Sequence, residues 1–335
     1  MKVKCFSTHA FEIKYLESCA SLFKLKVSFT EIKLSSDTAV LAEGFDSVSC
    51  WASDDLSSPV LKKLKDSGVR FISLRSAGYS HLDLERAKDL GLTVTRVPSY
   101  SPESIAEHTL GLLMCLNRKF AKAFQRVRDF NFTLDGLEGV TIHGKTVGIV
   151  GFGKIGQAFA RIMKGMGCNV LVFDPDQNTS LANELGVNYT DLKELLTKSD
   201  IISLHCPLNK STHHIINSDS INHIKPSAFL LNTGRGALID TKALIEKLKK
   251  RELRGVGLDV YEYEENIFFK DFSESGISDE MLLRLMGFPN VLITSHQAFF
   301  TKEALGNIAN ISMENIHLYH TQKEIPKDNL LVHQK

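Results

Sequence analysis

The sequence predicts an α/β protein built of two doubly wound parallel-sheet domains, one inserted into the other, and three observations predict it. At 335 residues the chain exceeds what one hydrophobic core usually organises, and a hydrophobic content of 43% can fill two. Short apolar runs alternate with helical patterns twice, from Val3 to about Val97 and again from Gly144 to His296, as parallel βα units do. The glycine-rich turn from Gly151 to Gly156 lies deep inside the chain, so the second series reads as an insertion and the tail after Phe300 as a return to the first.

In chain order, "VKCFST" reads as a strand, "HAFEIKYLESCASLFK" as a helix, "VRFISLRSAG" as a strand, "LDLERAKDLG" as a helix and "LTVTRVP" as a strand. Ser101-Pro102 then starts one long helix through "NRKFAKAFQRVRDF", with Ile105, Leu112, Leu113 and Leu116 on its packed face. The second series runs through strands "KTVGIVG", "NVLVFD", "DIISLHCP", "AFLLNTG", "GVGLDV" and "NVLITSH", with helices "DLKELLTKS" and "TKALIEKLKKREL" among them. "TKEALGNIANISMENIHLYH" makes a last helix, and "EYEENIFFKDFSESGISDEM" is the least regular stretch.

Charge and composition exclude several partners. Forty Lys plus Arg nearly cancel 39 Asp plus Glu, so no global field draws nucleic acid or an anionic membrane, and a small molecule is the expected ligand. "KLKKRELR" and "RKFAKAFQRVR" are basic, but helical spacing makes them exposed helix faces. The N-terminal stretch alternates polar and apolar residues, and no run approaches the roughly 18 apolar residues of a membrane span, so a cytoplasmic location is expected. Six scattered cysteines without a C-x-x-C pair read as reduced thiols. Neither His213-His214 nor His317 with His320 has acidic or thiol ligands at metal-site spacing, so no metal is expected.

Gly151-x-Gly153-x-x-Gly156 is weak evidence alone, but here it follows an apolar strand and opens an amphipathic helix. Glycines at those places permit a tight turn and close approach to a pyrophosphate at the positive helix end, beside Lys154 and Ile155. The next strand ends in Asp174, where a dinucleotide fold places the carboxylate for the ribose 2′-hydroxyl. Asp174 and Asp176 would repel a 2′-phosphate, so the cofactor reads as NAD. The expected organisation is a Rossmann-type NAD domain (101–299) inserted into a flavodoxin-like substrate domain (1–100 and 300–335).

Ligands of open parallel sheets bind beyond the carboxyl ends of strands. Three such ends carry Asn232, Thr233 and Arg235, then Asp259 and Glu264, then His296. Arg235 can grip a carboxylate through its two-pronged charge. His296 can give and take a proton near neutral pH, and Glu264 would hold its other ring nitrogen and favour the protonated ring. Each has a bland reading as well: a solvated arginine, a structural histidine, and a solvated loop for the acid run Glu262, Glu264 and Glu265.

Together "RSAGYSHLDL", "VPSYSPESIAEHTLGLL", "GKTVGIVGFGKIG", "SLHCPLNKSTHHIIN", "NTGRGALID", "GLDVYE" and "TSHQAF" resemble the D-2-hydroxyacid dehydrogenase family, and within it the fermentative D-lactate group, from about Arg70 to Leu305. The resemblance implies hydride transfer between NADH and pyruvate giving D-lactate, with Arg235 on the substrate, His296 as acid/base and Glu264 as its partner. It implies backbone donors at Ala77 and Gly78, and Tyr100 and Phe299 facing the substrate. Asp259 would meet the nicotinamide carboxamide, and His205, Cys206, Pro207, Thr212, Thr233, Gly234 and His296 would line the cofactor. It also implies a homodimer or homotetramer. Many relatives carry Pro before this histidine and a small residue after it, where this chain has Ser295 and Gln297, a form that fits the D-lactate group. Hydroxypyruvate, 2-oxobutyrate or phenylpyruvate as substrate, and an NAD-sensing corepressor-like protein, remain alternatives; Glu264 argues against the formate dehydrogenase branch, which pairs its histidine with glutamine.

Overall fold

A computed structural model describes residues 1–333, and the chain divides into two compact units: Met1–Ser101 with the segment from Phe300 onward, and Pro102–Phe299. The first unit begins with β1 (Lys2–Cys5), α1 (Ala10–Leu22), β2 (Lys26–Phe29), β3 (Ser47–Cys50), α2 (Ser58–Asp66), β4 (Phe71–Leu74), α3 (Leu84–Asp89) and β5 (Thr93–Thr95). The second contains α4 (Pro102–Arg118), α5 (Phe120–Arg128), β6 (Thr146–Val150), α6 (Lys154–Gly165), β7 (Asn169–Phe173), α7 (Thr179–Leu185), β8 (Asn188–Tyr189), α8 (Leu192–Lys198), β9 (Ile201–Leu204), β10 (Phe229–Asn232), α9 (Thr241–Lys249), β11 (Gly255–Leu258), α10 (Glu280–Met286) and β12 (Val291–Ile293). The first unit is completed by α11 (Lys302–His320) and β13 (Leu330–Val332).

In the first unit the sheet order is β13-β5-β4-β3-β1-β2, and the parallel part, 2-1-3-4-5, is the flavodoxin-like order. All four residues of β3 and of β4 are buried, because helices cover both faces. On one face α1 and α11 bring Leu16, Met313 and Ile316 against Val3 and Phe71; on the other, Leu61 and Leu64 of α2 meet Ile72, Leu74 and Val94. The sheet is not wholly parallel: β13 pairs antiparallel with β5. This edge strand comes after α11 and is only three residues long, too few to signal a strand in the sequence.

At the carboxyl ends of β1, β3 and β4 sits a buried ion pair. Arg75, 1% exposed, donates from Nε to Glu12 Oε2 at 3.0 Å and from Nη2 to the Phe6 carbonyl at 2.6 Å, while Nη1 reaches Ser49 Oγ at 3.1 Å. The guanidinium lies 5.6 Å from the ring of Trp51.

The second unit carries a seven-stranded, all-parallel sheet in the order β12-β11-β10-β9-β6-β7-β8. The order reverses between β6 and β9, so the loops after those two strands diverge to opposite faces and leave a crevice at their carboxyl ends. One face packs Leu195, Leu196, Leu244 and Leu282 of α8, α9 and α10; the other packs Leu112, Leu113, Phe159 and Met163 of α4 and α6. Asp191, Asp240 and Asp279 cap α8, α9 and α10 with side-chain oxygens, satisfying amides the helices leave unpaired.

The single long helix expected after Ser101 is two. Lys119 adopts a left-handed backbone (φ 52°) that ends α4 and starts α5. No residue of α5 is buried, and Phe120, Phe124, Val127, Phe130, Phe132 and Leu134 are exposed along it and the loop behind it. Among the described residues no helix is long and apolar enough to cross a membrane.

Arg75→Ala should cost about 3–5 kcal/mol, because it leaves the Glu12 carboxylate buried and uncompensated. Trp51, the only tryptophan, reports on this unit, so urea unfolding followed by its fluorescence is the measurement; an unchanged midpoint would show the pair to be dispensable.

Candidate active site

The loop after β6 is shaped by absent side chains. A Cβ on Gly151, whose φ is +95°, would stand 2.4 Å from the Cys206 nitrogen, and one on Gly156 would stand 2.1 Å from the Gly151 carbonyl oxygen. Gly153 is the N-cap of α6, has no side chain to cap it and has open space around its Cβ position. A twelve-residue helix therefore begins uncapped at a turn with room in front of it, flanked by exposed Lys154 and half-buried Ile155. That is a fit for a pyrophosphate. Asp174 ends β7 beside this turn: its Oδ2 accepts the Phe152 amide at 2.6 Å and Oδ1 accepts the Asp176 amide at 2.9 Å, holding the carboxylate at the ribose end of the fingerprint.

Across the crevice, the loop after β9 begins with His205, expected to line the cofactor. Its ring turns inward, its centroid 5.3 Å from that of Phe159 of α6 at a tilt of 53°, with Nε2 on Ser203 Oγ at 2.9 Å. Nδ1 is enclosed and has no hydrogen-bond partner among the described residues. Burial drives the ring pKa down from 6.5 to about 3, so His205 is a neutral pillar under the glycine turn. Burial also pushes the Cys206 thiol up to about 11, and the Asp174 charge adds to this, leaving an uncharged wall beside Gly151. Thr212 Oγ1 donates to the Pro207 carbonyl at 2.5 Å and accepts the Asn209 amide at 2.8 Å, which folds residues 207–212 into a tight loop.

After β10, Asn232 shapes the turn that carries Arg235: its Nδ2 donates to the Arg235 carbonyl at 2.9 Å and its Oδ1 accepts the Gly234 amide at 3.1 Å. Thr233 is buried and bonds to Thr109 of α4 at 2.9 Å. Arg235 is exposed, with Nη1 on the neighbouring Gly234 carbonyl, and among the described residues no carboxylate pairs with it. A guanidinium so placed can take a ligand carboxylate.

His296 has a left-handed backbone (φ 53°), uncommon for a non-glycine residue. Asp259 holds it there. The His296 amide donates to the Asp259 carbonyl at 2.7 Å, and the Asp259 carboxylate accepts the amides of Gln297 and Ala298, both at 2.8 Å, and the Thr294 hydroxyl at 2.5 Å. Burial opposes this charge, yet hydrogen bonds from His108, Thr294, Ala298 and Gln297 together hold its pKa below the usual value. Asp259 is fully buried, and this carboxylate, expected at the nicotinamide, also shapes the turn carrying His296. This explains why the apolar strand ends in Ser295-His296-Gln297.

The turn points the ring at Glu264, whose Oε1 lies 2.6 Å from His296 Nδ1. The other Glu264 oxygen accepts the Tyr261 amide at 2.7 Å. Among the described residues His296 Nε2 has no partner. Phe269 and Phe299 lie 6.0 and 6.4 Å from the imidazole centroid.

In the first unit, Ala77 and Gly78 follow β4 with partly exposed backbone, and their amides have no partner among the described residues; their carbonyls accept from Arg96 and Ser76. The Tyr100 carbonyl accepts Asn307 Nδ2 at 2.6 Å.

Sequence reasoning missed three polar residues. His108 of α4 reaches Thr294 Oγ1 at 3.1 Å and Asp259 Oδ1 at 3.3 Å. Its signal is a polar residue beside buried Thr109 on a helix otherwise read by its apolar face. His214 and Glu262 form a second imidazole–carboxylate pair at 2.7 Å. Glu262 is not the solvated acid its neighbours suggested, since its side chain is only 9% exposed.

A profile of the D-isomer specific 2-hydroxyacid dehydrogenase, NAD binding domain, matches residues 110–298. The chain is 46% identical over 316 residues to D-lactate dehydrogenase of Escherichia coli (strain K12), covering 94% of this chain and 96% of that one. The apo-structure of D-lactate dehydrogenase from Escherichia coli superposes with a TM-score of 0.90 at 43% identity, covering 99% of this chain and all of the other (100%). The NAD complexed form of a D-isomer specific 2-hydroxyacid dehydrogenase from Lactobacillus delbrueckii ssp. bulgaricus gives a TM-score of 0.83 at 34% identity over 98% of this chain and 100% of that one.

The buried neutral His205 makes a pH prediction. Between pH 6.5 and about 3 the unfolded chain binds a proton at this ring that the folded chain does not, so its contribution is intact above 6.5 and is withdrawn as pH falls. The slope is at most about 1.4 kcal/mol per pH unit. Urea unfolding from pH 7 to 4.5 should show a shallower loss for His205→Gln than for the parent, and identical slopes would count against the assignment.

Proposed function

This chain is a member of the D-isomer-specific 2-hydroxyacid dehydrogenase family, an NAD-dependent oxidoreductase, and from that premise we propose that its reaction is the reversible reduction of pyruvate to D-lactate. The observation that carries the proposal is the Glu264–His296 pair on the same sheet edge as an exposed guanidinium, where neither Nε2 of His296 nor Arg235 has a carboxylate partner among the described residues. Arg235 binds the carboxylate of the oxo acid through charge-assisted hydrogen bonds. His296 gives a proton from Nε2 to the carbonyl oxygen and takes one back from the hydroxyl in the reverse direction. Glu264 accepts from Nδ1, which fixes the ring orientation and leaves Nε2 to face the substrate. NAD, held by the glycine turn, Asp174 and the 205–212 loop, supplies the hydride when bound as NADH. The relatives named D-lactate dehydrogenase support pyruvate as the substrate and the D configuration of the product.

We also propose a homo-oligomer in the cytoplasm. Six cysteines, all free, suit a reducing compartment. The exposed apolar side chains of Phe120, Phe124, Val127, Phe130, Phe132 and Leu134 form a run that monomers rarely leave to water. Arg126 and Arg128 sit beside Asp129 and Asp135 on the same arm, so a second copy related by a twofold axis offers opposite charge as well as apolar surface.

Two experiments test these readings. A panel of 2-oxo acids with NADH and NADPH, followed by chiral analysis, should give D-lactate from pyruvate with NADH; in the same assay His296→Gln should lower kcat by roughly 10²- to 10⁴-fold with NADH affinity nearly intact. Normal turnover of that variant removes His296 from the scheme. In sedimentation velocity the parent should run as a dimer or larger and a Phe124→Asp, Phe130→Asp variant as a smaller species; a monomeric parent refutes the oligomer.

A further inference from the structure

We propose that His214 and Glu262 are positioning residues for the reaction: their hydrogen-bonded pair clasps three separate loops so that the Glu264 carboxylate is presented to His296. The inference rests on the dehydrogenase reading above. His214 belongs to the loop after β9, Gly236 to the turn after β10, and Glu262 to the segment after β11. His214 Nε2 meets Glu262 Oε1 at 2.7 Å, and Glu262 Oε2 accepts the Thr241 amide at the first residue of α9, at 3.1 Å. The His214 amide donates to the Ala237 carbonyl at 2.8 Å, and the isolated bridge between Ile216 and Ile239 continues the contact. One carboxylate thereby joins the nucleotide-side loop to the start of the helix that follows Arg235.

The clasp reaches the reacting pair through one residue of backbone. Tyr261 precedes Glu262, and its amide donates to Glu264 Oε2 at 2.7 Å, while Glu264 Oε1 faces His296 at 2.6 Å. The same peptide is pressed from the other side by Gly236, where a Cβ would fall 2.1 Å from the Tyr261 carbonyl carbon. Nothing larger than glycine fits there, so a shift of Glu262 moves the Tyr261–Glu262 peptide against the Arg235 turn and turns the Glu264 carboxylate away from the ring. His214 has a left-handed backbone (φ 51°), and its ring centroid lies 3.9 Å from that of His213 at a tilt of 31°. Neither His214 nor Glu262 is placed to touch the reacting atoms; both act through Glu264.

The test uses the full chain with NADH and pyruvate, with kcat expressed per NADH-binding site so that unfolded molecules are discounted. Glu262→Ala and His214→Ala should each lower kcat by about ten- to a hundredfold while the dissociation constant of NADH and the KM for pyruvate stay within about twofold. The double variant should be no worse than either single one, as expected of residues that act as a unit. Glu262→Gln should recover most of the loss, since its amide oxygen can accept from Thr241 and its amide nitrogen can donate to His214. Should Glu262→Ala fail to fold, His214→Ala and Glu262→Gln carry the same comparison. Alanine variants with parental kcat, a loss that follows only the folded fraction, or additive losses overturn the clasp while leaving the dehydrogenase reading standing. A parent that turns over no 2-oxo acid overturns both.

Discussion

The site depends on one buried carboxylate. Asp259 ends the β11 edge with no exposure to water, an arrangement that desolvation disfavours, and it is kept ionised by donors that all belong to the next strand end or to α4. Those donors are the Gln297 and Ala298 amides, the Thr294 hydroxyl and His108. They fix a backbone conformation at His296 that costs a non-glycine residue on the order of 1–3 kcal/mol and would otherwise relax. Relaxation would swing the imidazole off Glu264. The Asp259 charge thus sets the direction of the ring nitrogen that has no partner among the described residues.

Rigidity below the loops makes such fine placement possible. Strands β9, β10 and β11 are buried along their whole lengths and hydrogen-bonded in parallel on both sides, so their carboxyl ends are fixed points. The loops that leave them are tied by side chains near the strand ends: Asn232 across its own turn, Thr212 across residues 207–212, Glu264 back to Tyr261. Elements supply position, and polar side chains supply orientation.

Much of this was legible in the sequence. The glycine turn could be read because glycine alone fits where Gly151 meets Cys206 and Gly156 meets Gly151, and Asp174 because the strand before it is strongly apolar. Strand ends were readable for the same reason, which is how Arg235, Glu264 and His296 were found. Partner choice was harder. Nothing local distinguishes Glu262, enclosed and paired with His214 across 48 positions, from the acids beside it. His205 carries the same residue type as His296 and turns the other way, into apolar packing against Phe159. Asp259 has the expected place, but its bonds to the Gln297 and Ala298 amides could not be read, because amide directions depend on the backbone. The break at Lys119 was hidden because helix-forming residues continue on both sides of it.

The connectivity of the two sheets bears on the order in which they can form. The unit from Pro102 to Phe299 is contiguous, so every strand of its sheet is available once that stretch has been synthesised. The unit that starts at Met1 has no such independence: Met313 and Ile316 of α11 fill the core around Leu16 and Phe71, and β13 supplies the strand beside β5. During synthesis its earliest residues must wait with an open apolar face until the nucleotide-binding unit has emerged and the closing helix follows. A chain at that stage holds one unit whose strands are all present and one whose core still lacks α11 and whose sheet still lacks β13.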